Sequence, residues 1–102
     1  MRGKMIETAK RNAEHAWACI RPERVEAYTK DVVLPSKDTA REIVGKAASE
    51  LVEFLAAGGD VESPEWRVLR AKFDKDLEAA ARICAHVTAW LEVVEEHKRR
   101  LS

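Results

Sequence analysis

The stretch "PEWRVLRAKFDKDLEAAARICAHVTAWLEVVEEHKRRL", residues 64–101, decides how this chain folds. After Pro64 it contains no proline and no glycine, so nothing in it interrupts a helix. Ser63, Pro64 and Glu65 supply an N-cap, a first-turn proline and an acid beside the positive helix end. Lys98, Arg99 and Arg100 complement the negative end. At ~1.5 Å per residue the predicted helix is about 57 Å long. A compact chain of this length has a radius of gyration of only about 13 Å. The preceding residues are too few to wrap such a rod, so the expectation is that its far end packs against another chain. A bend in the helix is the alternative.

The apolar pattern of this helix points the same way. Phe73, Leu77, Ala80, Cys84, Val87, Leu91 and Val94 follow alternating four- and three-residue steps, a coiled-coil-like heptad seam. Ala79, Ile83, His86, Trp90 and Val93 form a second line beside it. Together they make an apolar arc wider than one neighbour needs. The seam and Trp90 are therefore the expected oligomer interface. Small Ala80 and Cys84 allow close approach, and the order of residue types along the seam favours antiparallel packing over a parallel zipper.

Upstream, Gly58-Gly59 is a helix stop. A helix over about 39–57 leads into it, opened by Thr39 and Glu42 as a capping box. Its apolar positions Ala40, Ile43, Val44, Ala47, Ala48, Leu51, Val52 and Leu55 recur at helical spacing. "LPSKD" at 34–38 is expected to end a shorter helix over about 22–33, which begins at Pro22 and turns Val25, Tyr28 and Val32 inward. The first helix, about 4–20, places Ile6, Ala9, Ala13, Ala16, Trp17 and Ile20 on one face. The expected fold is an all-α bundle of three long helices and one short one, forming a single domain.

Composition narrows the function classes. With 46% apolar and 35% charged residues but few Gly and Pro, the chain is neither disordered nor fibrous. No apolar run approaches the ~18 residues of a membrane span, so no membrane association is expected. The N-terminal stretch lacks the apolar core of a signal peptide, and two cysteines make no disulfide framework, so a cytoplasmic location is the expectation. Net charge is zero, without the basic excess of a dedicated nucleic-acid binder. Charge is nevertheless uneven: residues 1–30 and 66–102 are net basic and 31–65 net acidic.

Four clusters are candidates for chemistry. His15 and Cys19, one helical turn apart, could supply two metal ligands, although small buried cysteines are more common. Arg67, Arg70, Lys72 and Lys75, interleaved with Trp66 and Phe73, could clamp phosphates while an aromatic stacks on a base. Arg82 and His86 would pair a phosphate-stabilising cation with a general acid or base. In residue types this pair resembles the motif of the helical HEPN ribonucleases, which would imply RNA cleavage; the gap of three residues here is shorter than that family's. Glu50-Leu-Val-Glu53 resembles the first half of the metal-binding pattern of MazG-type nucleotide pyrophosphohydrolases, implying Mg²⁺-dependent phosphohydrolysis. The second half, Glu-x-x-Asp, occurs nowhere in the chain. No catalytic set is complete and no cofactor is called for. The expected function is a non-catalytic, homo-oligomeric protein–protein interaction module, of the kind found among small bacterial or phage accessory proteins. Its expected partners are itself and another protein. A nucleic-acid-associated protein or HEPN-like RNase comes second, and a helical nucleotide phosphohydrolase third.

Overall fold

The computed structural model describes residues 2–101, and the elements in that span are all helical. Helix α1 (Arg2–Cys19) is followed by a 3₁₀ turn (Pro22–Arg24), α2 (Val25–Tyr28), a π-helical turn (Thr29–Val33), α3 (Leu34–Ala56) and α4 (Pro64–Leu101). The all-α reading therefore holds. Pro22 opens the 3₁₀ turn, where its missing N–H costs nothing.

The α3–α4 connection is made by local chemistry. Gly58 adopts φ +85°, a backbone region that L side chains avoid. The Gly59 N–H donates to the Phe54 carbonyl at 2.9 Å and the Gly58 N–H to that of Leu55 at 3.0 Å, a Schellman closure. Ser63 then caps α4, its hydroxyl oxygen accepting the Trp66 N–H at 3.2 Å. From Pro64 the helix continues for 38 residues without a break.

The expected stop at "LPSKD" is absent. Pro35 lies in the first turn of α3, yet helical backbone continues across it from 25 to 56. Inside a regular α-helix the proline ring would collide with the carbonyl of Asp31 and leave it unbonded. The π turn immediately upstream widens the backbone and takes up that misfit. Its extra residue also shifts the helical phase: Val33 is buried, whereas Val32, expected inward, is 50% exposed. Thr39 is no N-cap either. It lies within the helix, its hydroxyl donating back to the Pro35 carbonyl at 3.4 Å.

This continuity removes the conflict posed by the length of α4. The 25–56 segment runs antiparallel along α4, with Thr29 beside Trp90 at one end and Glu50 beside Lys72 at the other. Helix α1 runs parallel to the C-terminal half of α4, where Lys10 meets Glu92 and Glu14 meets His97. The long helix is accommodated by stretching the rest of the chain beside it, so the molecule measures 59 × 26 × 19 Å with a radius of gyration of 18.0 Å. The main core gathers Ala9, Ala13, Val25, Val33, Val87, Ala89, Trp90, Val93 and Val94 where the helices meet. Toward the other end only α3 and α4 remain, and they bury Ala40, Ala47, Leu51 and Ala80.

Candidate functional site

The heptad seam of α4 divides in the structure into buried and exposed members. Ala80, Val87, Trp90 and Val94 are buried by the chain's own helices, and Phe73 is half-buried. Those four pack inside the chain, and the members of the expected interface that face solvent are Leu77, Cys84 and Leu91. Leu77 and Leu91 are 44% and 41% exposed, and Cys84 is also exposed. A wall of α1 stands beside them, since Met5, Ile6 and Lys10 share a shallow trough with Ala81, Cys84 and Thr88.

Trp90 anchors the opposite side of α4. Its indole N–H donates to the Thr29 hydroxyl at 2.7 Å, and that hydroxyl donates to the Val25 carbonyl at 2.8 Å. Tyr28 meets the Trp90 ring edge-on at 5.0 Å, and Trp17 lies 6.2 Å from it. Trp17 in turn stacks on His97 at 4.3 Å and 3°, while His97 Nε2 is 3.3 Å from a Glu14 oxygen. Contacts of this kind contribute about 0.5–1.5 kcal/mol per aromatic pair beyond area burial. An open groove of about 420 Å³ adjoins this knot, lined by Ala13, Ala16, Tyr28, Ile83, His86 and Trp90 among others. The knot was not legible in the sequence because its members lie on four elements, α1, α2, the π turn and α4. A proline inside an otherwise continuous helical pattern was the available signal for the π turn that presents Thr29.

The candidate chemical residues are mostly engaged elsewhere or apart. Arg82 pairs with Glu78 at 2.8 Å, and exposed His86 has no hydrogen bond or ion pair among the described residues. Arg70 pairs with Asp74 at 3.5 Å and lies over the Phe73 ring at 5.5 Å. Lys72 contacts both oxygens of Glu50, at 3.0 and 3.2 Å. That carboxylate, by hydrogen bond and by charge, raises the Lys72 pKa above its ordinary 10.5. Glu50 is thereby occupied as a potential metal ligand. Arg67 and Lys75 are exposed on the same helix. His15 Nε2 and Cys19 Sγ lie 3.9 Å apart on an exposed face, and among the described residues no third His, Cys, Asp or Glu joins them. No helix among the described residues is long and apolar enough to cross a membrane. Comparison with protein-family models, with curated proteins and with solved structures finds no match.

Proposed function

We infer that this chain is a non-catalytic protein–protein interaction module that works as a homo-oligomer in the cytoplasm. One observation carries the reading. The chain exposes 7847 Å², whereas a folded monomer of its mass exposes about 5,800 Å². The excess, about 2,000 Å² per chain, is of the size that each partner in an obligate dimer buries. Large apolar side chains contribute to it: Ile6, Val52, Leu55, Val68, Leu77 and Leu91 are each more than two-fifths exposed. Scattered apolar residues are normal on a surface, but Leu77 and Leu91 continue a heptad seam along one helix.

The nucleic-acid reading is weaker because the chain has no net basic excess and Lys72 is paired with Glu50. Light scattering across micromolar concentrations tests the module. The expected mass is an integral multiple, at least twice, of the chain's 11.5 kDa. A monomer throughout that range overturns the reading. Copurifying absorbance at 260 nm with salt-sensitive retention would instead favour nucleic acid.

A further inference from the structure

The open side of α4 carries more order than its apolar members alone. Arg70, Leu77, Cys84, Leu91 and Lys98 recur at seven-residue intervals, and all five are exposed. A second exposed line, Asp74, Ala81, Thr88 and Glu95, runs beside it with the same period. Both lines read alike in either direction. The first is basic, Leu, Cys, Leu, basic; the second is acidic, small, small, acidic. The first line is centred on Cys84 and the second between Cys84 and Ala85, both close to the middle of a helix spanning Pro64–Leu101.

We propose that this seam is a two-fold contact in which α4 packs antiparallel against α4 of a second copy, with Cys84 at the axis. The proposal rests on the oligomeric reading above and specifies its partner, orientation and register. With Cys84 facing its own copy, Leu77 lies opposite the second copy's Leu91, and nearly the whole helix is overlapped. Arg70 falls opposite the second copy's Lys98, but each basic group has an opposite charge within one turn across the seam. Arg70, paired with Asp74 along its own helix, comes within a turn of the second copy's Glu95, itself paired with Arg99. Asp74 likewise comes within a turn of the second copy's Lys98, so each end closes as a network of alternating sign. A parallel in-register pair would instead set Arg70 against Arg70 and Asp74 against Asp74. Small Ala81 and Thr88 beside Cys84 let the helices approach closely. The antiparallel arrangement also sets the two-helix half of each copy beside the three-helix half of the other. A self-complementary patch of this kind is what a two-fold interface requires.

Cross-linking tests the register. In Cys19→Ser, mild oxidation with copper–phenanthroline should join two chains through Cys84, whose Cα atoms at the axis fall within the ~7 Å a disulfide spans. In Cys84→Ser, with Cys19 alone, covalent dimer should form at least tenfold more slowly. If light scattering shows a dimer but Cys84 joins no faster than Cys19, the proposed pairing is wrong while the interaction module stands. A monomer by scattering removes both. Orientation is tested by charge reversal: Arg70→Glu should weaken the dimer about tenfold, and adding Glu95→Arg should restore it. Failure of the second substitution to restore association would overturn the antiparallel register.

Discussion

The two halves of α4 live in different surroundings, although one unbroken helix runs through both. Its C-terminal half is flanked by α1 on one side and by α2 and the π turn on another, and it holds the Trp90 knot. Its N-terminal half has only α3 beside it, with Trp66 tilted against Phe54 at 5.8 Å and Lys72 paired with Glu50. Helical propensity is similar along the whole element, so it does not explain the difference. What differs is how much apolar surface each half hides. The three-helix end is a self-sufficient core, and the two-helix end leaves Val52, Leu55 and Val68 in solvent. The thin end is therefore where a partner has most to add.

The largest test of this contrast compares two tryptophans on the same helix. Trp90 is 3% exposed and Trp66 is half-buried. Trp90→Ala should cost about 3–5 kcal/mol in urea unfolding, and Trp66→Ala about 1–2 kcal/mol. Equal losses would mean that the halves are equally packed. A smaller effect is expected at the Trp90 hydrogen bond. Thr29→Val keeps the side-chain shape but leaves the indole N–H without its acceptor, a cost of about 1–3 kcal/mol. The Trp90 near-ultraviolet circular dichroism band should change with it.

The smallest effect is expected at the thin end's surface pair. Lys72→Met removes an exposed ion pair with Glu50, a class of contact that contributes little and is screened by salt. Because Glu50 raises the Lys72 pKa, the pair's contribution is complete below the ordinary lysine value of 10.5 and fades as pH rises through the elevated one. The melting temperatures of wild type and variant should accordingly converge at strongly alkaline pH and at high salt. A difference that persisted under both conditions would point to packing by the lysine stem instead.

Much of the fold was legible because it is local. Ser63-Pro64 and Gly58-Gly59 act through their own backbone geometry, so the start of α4 and the end of α3 stand where their chemistry puts them. "LPSKD" misled because a proline's local effect has two outcomes, a helix end or a π turn. The sequence pattern alone does not choose between them. Here the second keeps Val25 and Val33 on one buried face and carries Thr29 to Trp90. The candidate sites were less legible still. Arg82 and His86 share a helix, but Glu78 holds the arginine, and side-chain pairing of that kind depends on what surrounds each group.

By itself the sequence determined that the chain is helical, where α4 begins, and that α4 has more apolar surface than one neighbour covers. These follow from periodicity and capping, which act over a few residues. Only the tertiary structure decided which members of the seam on α4 are spent inside the chain. Burial depends on where α1 and α3 come to lie, and that was set by a proline that bends the helical phase without ending the helix. Residues 25–56 thus became a single long rod beside α4, leaving Leu77, Cys84 and Leu91 open to solvent.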